Sequence, residues 1–210
     1  MKSENGRSMV EMLGVLAIIG VLSVGAISGY SKAMFKYKLN KQTEQINQII
    51  GAMVRYKNDI TVPAVSGREY TDIRLVPILK KLGEIPQEMY ISSSETYIKD
   101  SFGTRYRVYQ RSNNTYITLR TTNLPRTENG FQTCKNLYLI AKEWHDELHL
   151  IETIAYKGSN FKALALYVGD KYCTGSYKCL KDLKLTEFDD ICRTAAEEEG
   201  ADYSIAIQFK

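Results

Sequence analysis

An acidic side chain inside an apolar run is the first feature of this sequence that could do chemistry. Residues 9–27 read MVEMLGVLAIIGVLSVGAI, and Glu11 is the only ionisable side chain among them. A carboxylate in a membrane segment costs up to about 3 kcal/mol on insertion, and such groups usually have a partner. The partner can come from another chain. Glu11 is therefore predicted to have a specific partner.

The cysteines are the second set of residues with chemistry. There are four, all in the C-terminal part of the chain: Cys134, Cys173, Cys179 and Cys192. An even count indicates disulfides if this part is exported, and four cysteines allow three pairings. A zinc site is the alternative. Cys173 and Cys179 are spaced more widely than in the usual zinc knuckle, and nothing nearby supplies a good fourth ligand.

Catalytic and nucleic-acid-binding signals are weak. His145 and His149 stand four apart in WHDELH, which could hold a metal but lacks the order of a zinc protease motif. We interpret them as exposed residues of a helix. The sequence contains no nucleophile elbow, phosphate loop or dinucleotide fingerprint. The net charge of +4 is too small to favour nucleic-acid binding. We expect neither an enzyme nor a cofactor.

The element that carries Glu11 is long enough to cross a bilayer as a helix. Lys2 and Arg7 precede it, so the positive-inside rule keeps the N-terminus in the cytoplasm. A secretory signal peptide is an alternative, with cleavage before Gly29. Against it, the apolar run is longer than a signal core, contains Glu11, and continues as a helical pattern beyond Ser28. A simple membrane anchor would leave Glu11 without a role.

The helical pattern extends past the apolar run and becomes amphipathic over residues 31–60. Its apolar positions recur at helical spacing: Phe35, Leu39, Ile46, Ile49, Ile50, Met53 and Ile60. One helix from about residue 8 to residue 58 would be about 75 Å long. Half would lie in lipid, and half would need a folded domain against its apolar stripe. A coiled coil is the alternative, but the heptads are few and irregular.

The rest of the chain alternates strand and helix signals. In order, we predict a helix over Thr71–Leu82, strands over Arg105–Tyr109 and Tyr116–Arg120 joined at Asn113-Asn114, a helix over Glu128–Leu148, a strand over Ile151–Tyr156, a helix begun by Thr186 with Asp189 and ended by Gly200, and a strand over Tyr203–Phe209. Residues 161–168 are ambiguous. This order favours an α+β fold in which an antiparallel sheet packs on the long helix.

The predicted helices also suggest how the cysteines pair. Cys134 and Cys192 each lie on the apolar face of a predicted helix, so we predict a disulfide between them. Cys173 and Cys179 would then close a small surface loop. The other two pairings remain open at this stage.

The residues around the acid resemble those of a known family. Gly6-Arg7-Ser8-Met9-Val10-Glu11 is similar to the cleavage and methylation motif of type IV prepilins and pseudopilins. Ala17-Ile18-Ile19-Gly20 and Tyr30 also fall where that family has similar residues. The resemblance covers about the first 30 residues.

Two positions depart from the family pattern. Arg7 stands where the family usually has a large apolar residue, and Ser28 stands near the usual site of a helix-kinking proline. Gly25 and Gly29 flank Ser28. Glycine weakens a helix by about 1 kcal/mol, so this pair could provide flexibility in place of the proline.

The resemblance implies a processing and assembly mechanism. A prepilin peptidase would cut between Gly6 and Arg7 and the new Arg7 amine would be N-methylated, while the helix stays attached. Glu11 would then pair with the Arg7 amine of a neighbouring subunit. The implied organisation is a leader at 1–6, a transmembrane and assembly helix at 7–30, its amphipathic half at 31–60 and a globular pilin-like head at 61–210, closest to the type IVb arrangement.

The resemblance also implies partners and a location. These are other copies of the subunit, the prepilin peptidase, an assembly ATPase, an inner-membrane platform protein and membrane lipid, with the head in the periplasm of a bacterium and later on a pilus. A pseudopilin of a type II secretion system fits equally. The alternative from a different class is a secreted or anchored binding domain or enzyme. N-terminal sequencing of the mature chain separates the classes, since Arg7 or Gly29 would come first.

Overall fold

The computed structural model describes residues 9–60, 72–111, 116–157, 160–198 and 202–210. The chain divides into two compact units, Met1–Lys38 and Leu39–Lys210. A single helix, α1, spans Met9–Tyr56 and belongs to both units. We call residues 9–38 the exposed segment of α1 and residues 39–56 the docked segment. The predicted long helix is therefore present, whereas Gly6 and Arg7 lie outside the described residues.

The second unit contains an antiparallel sheet. Within the described residues its strands are β1 (Asp72–Arg74), β2 (Ile98–Lys99), β3 (Arg105–Arg111), β4 (Ile117–Thr121), β5 (Leu148–Lys157), β6 (Asn160–Val168) and β7 (Asp202–Phe209). The order across the sheet is β1-β3-β4-β7-β5-β6, with β2 also paired to β3. Strand β7 therefore lies between β4 and β5, and it is the strand that joins these two parts of the sheet. This confirms the α+β class.

Three further α-helices accompany the sheet: α2 (Val76–Lys81), α3 (Glu128–Glu143) and α4 (Leu185–Glu197). The core forms between one face of the sheet, the docked segment of α1 and the apolar faces of α3 and α4. Alternation along the strands selects the inward side chains. The inward residues of β3, β4 and β7 are buried: Tyr106, Val108, Ile117, Leu119, Tyr203, Ile205, Ile207 and Phe209.

The predicted helix over Thr71–Leu82 is wrong in its first part. Ile73 lies in strand β1 and pairs with Gln110 of β3. Proline fits only the first turn of a helix and disfavours helical backbone before it, so Pro77 at the start of α2 restricts the helix to the residues that follow. Gly83, at φ +74°, ends α2, because it accepts the left-handed backbone that other residues avoid.

The predicted helix over Glu128–Leu148 is too long. Helix α3 ends at Glu143, and Leu148 is the first residue of β5, where it pairs with Phe209. The predicted strand Ile151–Tyr156 is thus correct but extends further at both ends. The ambiguous residues 161–168 belong to β6, which pairs along β5. Pairing with a neighbouring strand, which no local pattern reveals, decides these elements.

Helix α4 begins at Leu185, and the capping carboxylate differs from the predicted one. Glu187 accepts a hydrogen bond from the Lys184 N–H at 2.6 Å. Asp189 instead accepts from the Lys135 ammonium at 2.5 Å and from Arg193 at 3.1 Å. These cations lower the pKa of Asp189, the Lys135 hydrogen bond most of all. The predicted turn at Asn113-Asn114 and the helix end at Gly200 lie outside the described residues.

Candidate functional site

The exposed segment of α1 displays an apolar surface. An 18-residue stretch of α1 has a mean hydropathy of 2.3, so by length and composition it could cross a membrane. Signal sequences near an N-terminus meet the same criterion. Its large apolar side chains are between 52% and 81% exposed: Met9, Val10, Met12, Leu13, Val15, Leu16, Ile18, Ile19, Val21, Leu22, Val24 and Ile27. A helix that is apolar around its whole circumference requires lipid or protein around it. The exposed segment therefore needs lipid or another protein against its apolar surface.

Glu11 lies in the first turn of this helix. Met12, Val15 and Leu16 line a shallow depression with it. A carboxylate at a helix N-terminus is favoured by the helix dipole, and apolar neighbours reduce its access to water once the surface is covered. Glu11 is therefore placed to attract a cation to the end of an apolar helix.

The helix is continuous through the glycine-flanked Ser28. The Ser31 hydroxyl donates to the Ile27 carbonyl at 2.9 Å, a bond that helical serines make one turn back. Gly25 and Gly29 are accommodated within the regular helix. In this chain the position that holds a proline in the family pattern produces no break in the helix.

Aromatic and basic side chains follow the apolar stretch. They are exposed on the same segment of α1: Tyr30, Lys32, Lys36, Tyr37 and Lys38. Tyrosine is enriched at membrane–water interfaces, and lysine interacts with lipid headgroups. The composition changes at the point where a helix would leave a bilayer.

The docked segment of α1 is held by a buried polar network. Gln42 is fully buried and its amide donates to the Asp100 carboxylate. The Gln42 carbonyl accepts from Asn136 of α3 at 2.8 Å. The Tyr106 hydroxyl donates to Asp100 at 2.7 Å, and burial, assisted by the Asp100 charge, raises the Tyr106 pKa well above its usual value. A buried network of this kind sets the register of the helix, because a shift would leave several groups unpaired.

Asp100 also orders the turn before β3. Its second carboxylate oxygen accepts the backbone N–H groups of Phe102 and Thr104, each at 2.9 Å. Gly103, at φ +82°, provides the left-handed residue of this turn. The Asp100 carboxylate therefore connects β3, through Tyr106, to the docked segment, through Gln42.

Further side chains connect the docked segment with α3. The Thr43 hydroxyl donates to Asn136 at 3.0 Å, and the Trp144 indole donates to Asn47 at 2.9 Å. Just beyond α1, the Lys57 ammonium lies 3.0 Å from Glu147. This hydrogen bond from Lys57 is the main reason that the Glu147 pKa is lowered. The docked segment is therefore joined to the rest of the second unit by polar bonds as well as apolar packing.

The cysteines are joined as the sequence predicted. Cys134 of α3 pairs with Cys192 of α4, with the two Cα atoms 5.8 Å apart, and Cys173 pairs with Cys179. Both residues of the first pair are fully buried. This disulfide ties α4 and the chain leading to β7 to the helix that contacts α1.

The histidines do not occupy one helix face, so that prediction is wrong. His145 lies in the turn after α3, with its Nδ1 atom 3.1 Å from Asp170, and His149 lies in β5. The His149 ring stacks on Tyr116 with centroids 4.3 Å apart and meets the edge of Tyr172 at 4.5 Å. Burial lowers the His149 pKa.

No protein-family model, curated protein or solved structure matches this chain. The class of the protein therefore has to be argued from its own residues. Of the predicted site residues, the structure describes Glu11 and the four cysteines. Sequence reasoning missed the network of Gln42 and Asp100; a glutamine at a position in phase with the apolar stripe of α1 was the available signal.

Proposed function

We propose that this chain is a structural subunit of a type IV pilus or a related filament. The observation that carries the proposal is the exposed segment of α1, an apolar helical surface with one carboxylate in its first turn. The prepilin-like motif of residues 6–11 overlaps the first three residues of that segment. The role is mechanical, not catalytic. The segment is anchored in the inner membrane first and is later buried against the same segment of other subunits.

Glu11 would control the register of assembly. Cleavage after Gly6 creates a cationic amine on Arg7, four residues before the acid. A subunit docked in register pairs that amine with a neighbour's Glu11. A subunit out of register leaves both charges unpaired in a low-dielectric environment, which costs roughly 3–5 kcal/mol when one partner of a buried ion pair is missing.

The bonds of the docked segment suit a subunit that must transmit force along a filament. A filament transmits force between subunits, so each helix must be held firmly by its own folded unit. Gln42, Asn47 and the ion pair of Lys57 with Glu147 join α1 or the residue after it to the second unit. The disulfide from Cys134 to Cys192 stabilises α3, whose Asn136 side chain bonds Gln42 and Thr43.

The proposed partners and location are those that the resemblance to type IV prepilins implies. A filament of this kind needs a prepilin peptidase, an assembly ATPase and an inner-membrane platform protein. We propose a periplasmic location for residues 39–210 before assembly. A pseudopilin of a type II secretion system would use the same machinery, and the abundance of the chain on sheared surface filaments distinguishes a pilin from a pseudopilin.

N-terminal sequencing of the mature chain tests the proposal. Co-expression with a prepilin peptidase should yield a chain that begins at Arg7, with a methylated amine detectable by mass spectrometry. Gly6→Ala should block the cut, whereas the matched control Gly14→Ala should not. A mature chain that begins at Gly29 would contradict the proposal and support conventional secretion.

A further inference from the structure

The outer face of the sheet, opposite the core, has a floor of small side chains along β7. Ala206 is fully buried and pairs with Arg120 of β4 on one side and Glu152 of β5 on the other. The Arg120 guanidinium and the Glu152 carboxylate meet at 3.2 Å, so their ion pair spans β7. The methyl group of Ala206 leaves room for this crossing. Ser204 lies next along β7 on the same face.

A cavity of about 780 Å³ opens over this floor. The neighbouring cavity of about 660 Å³ shares the lining residues Tyr97, Thr122 and Asn123, so we treat the two as one groove, the outer groove. Ligand sites typically have volumes of about 300–1,000 Å³. The described residues that line the outer groove all belong to the second unit.

Two residues that line the outer groove have buried polar atoms without a hydrogen-bond partner among the described residues. Ser204 is only 3% exposed, and among the described residues its hydroxyl has no hydrogen-bond partner. The Nε atom of Arg120 is likewise buried and unpartnered within the described part of the chain. Buried polar groups are nearly always satisfied in folded proteins. Arg120 and Ser204 are both among the residues that line the outer groove.

Among the described residues that line the outer groove, arginines outnumber acidic residues, and the carboxylate of Asp202 lies 2.8 Å from the lining residue Asn123. Three arginines, Arg105, Arg107 and Arg120, line it together with one glutamate, Glu152. Arg120 and Glu152 neutralise each other, which leaves Arg105 and Arg107 as the cationic excess. Arg105 is exposed, and Arg107 lies 4.0 Å from Asp72, the outer limit of an ion pair. A ligand with a carboxylate would gain a bidentate partner there.

Aromatic faces and neutral polar groups complete the lining. Tyr156 and Phe161 are register partners on β5 and β6, and the Phe161 side chain is 73% exposed. Exposed rings beside hydroxyl and amide groups suit a ligand that is apolar on its faces and polar at its edges. A sugar ring has that shape. The hydroxyl and amide groups come from Thr122, Asn123, Thr127, Asn129, Ser204 and Gln208.

We propose that the outer groove binds an acidic oligosaccharide, a chain of sugar rings that carry carboxylates. Arg107 would hold a carboxylate, Ser204 and Asn123 would bond ring hydroxyls, and Phe161 would stack on a sugar face. The small cationic excess and the presence of Glu152 disfavour nucleic acid, which needs a longer basic track. The proposal concerns the second unit alone and stands apart from filament assembly.

Binding of oligogalacturonate by the full chain in detergent tests the proposal. Titration calorimetry with tetragalacturonate, a chain of four acidic sugar rings, should detect binding. The methyl-esterified, neutral form should bind at least roughly tenfold more weakly, because the ester removes the charge-assisted hydrogen bonds. A single-stranded thymidine oligonucleotide is the competing probe. Absence of binding, equal affinity for acidic and neutral forms, or stronger binding of the oligonucleotide would each overturn the proposal.

Variants locate the site within the molecule. Arg107→Gln and Phe161→Ser should each weaken binding at least about tenfold, since one removes the carboxylate partner and the other the stacking surface. Arg193→Gln and Tyr177→Ser are matched controls, because Arg193 is exposed on α4 and Tyr177 is exposed in the small disulfide loop. Ser204→Ala tests the unpartnered hydroxyl with little risk to folding. If the controls weaken binding as much as the groove variants, the outer groove is not the site.

Discussion

The two segments of α1 are built from the same secondary structure and have opposite relations to their surroundings. In the exposed segment, Ile18 and Ile19 remain 63% and 52% exposed. In the docked segment, Ile49 and Ile50 are fully buried against the sheet and α3. The first surface requires lipid or other subunits, whereas the second finds its partner within the chain.

A buried polar network holds the docked segment. Gln42 has its partners in the same chain, in Asp100 and Asn136. Glu11 stands in a segment that, on our proposal, acquires its permanent environment only in a filament. A helix can thus be stabilised at one end by folding and at the other by assembly, and variants in the two segments should affect different measurements.

Glu11→Ala should have the largest effect. We expect filament yield to fall by at least about tenfold, because the cationic N-terminus of each neighbour would be left unpaired. Cleavage after Gly6 and the stability of the second unit should not change. Sheared filaments quantified by immunoblot measure the yield, and Glu44→Ala, at an exposed position of the docked segment, is the control. Normal filament yield from processed Glu11→Ala protein would refute the electrostatic account of assembly.

Removing the interhelical disulfide should be the largest change in folding stability. The bond between Cys134 and Cys192 spans a sequence separation of 58. Replacing both residues by alanine should lower the free energy of unfolding by about 4 kcal/mol on the chain-entropy model. The same change at Cys173 and Cys179, separated by 6, should lower it by only about 2 kcal/mol.

Denaturant titration of the full chain in detergent measures these values. Trp144 is the only tryptophan of the chain and donates to Asn47, so its fluorescence reports the contact between α1 and α3. Equal losses for the two disulfides would show that loop length does not govern their contribution.

Truncating one isoleucine in each segment sharpens the comparison directly. Ile49→Ala should lower the unfolding free energy of the second unit by about 3 kcal/mol, because it opens a cavity in the core. Ile19→Ala should change that free energy by less than about 0.5 kcal/mol, as expected for an exposed position. The same titration reads both variants. Similar losses would mean that the exposed segment is part of the folded core.

Gln42→Ala tests the buried network. We expect a loss of about 2 kcal/mol, because Asp100 and Asn136 would each lose a hydrogen-bond partner inside the protein. Gln48→Ala is the matched control, since Gln48 is an exposed glutamine of the same segment. An unchanged midpoint for Gln42→Ala would indicate that water replaces the amide at no cost and that the network does not set the register.

His149 should produce the smallest effect, and it should depend on pH. Burial lowers its pKa below the ordinary value of 6.5, with Lys210 acting in the same direction and the Gln208 hydrogen bond opposing it. Above pH 6.5 the residue is neutral in both the folded and the unfolded chain. As the pH falls below 6.5 towards the lowered folded pKa, the unfolded state binds the proton first, so stability decreases over that interval.

The variant His149→Phe keeps an aromatic ring between Tyr116 and Tyr172 and removes the titration. Its melting temperature should therefore fall less between pH 7 and pH 5 than that of the natural chain. Equal losses in the two proteins would assign the acid sensitivity to other groups.

Local patterns predicted some elements well and others poorly. The alternation of β7 and the apolar stripe of α4 depend on the side chains of the element itself, and both were predicted correctly. The last five residues of Glu128–Leu148 were predicted as helix because Trp144 and Leu148 continue the helical spacing. In the structure residues 144–147 form a turn, and Leu148 begins β5, where it pairs with Phe209, distant in the chain.

The sequence by itself determined the exposed segment and its carboxylate, because both depend on residue type and on spacing within one helix. It favoured the disulfide between Cys134 and Cys192 and left the other pairings open, because a disulfide joins two separate elements. Only the tertiary structure decided the partners of Gln42, the place of β7 between β4 and β5, the stack around His149 and the outer groove. Each of these joins residues far apart in the chain, and the energy that selects them arises only when the strands and helices pack together.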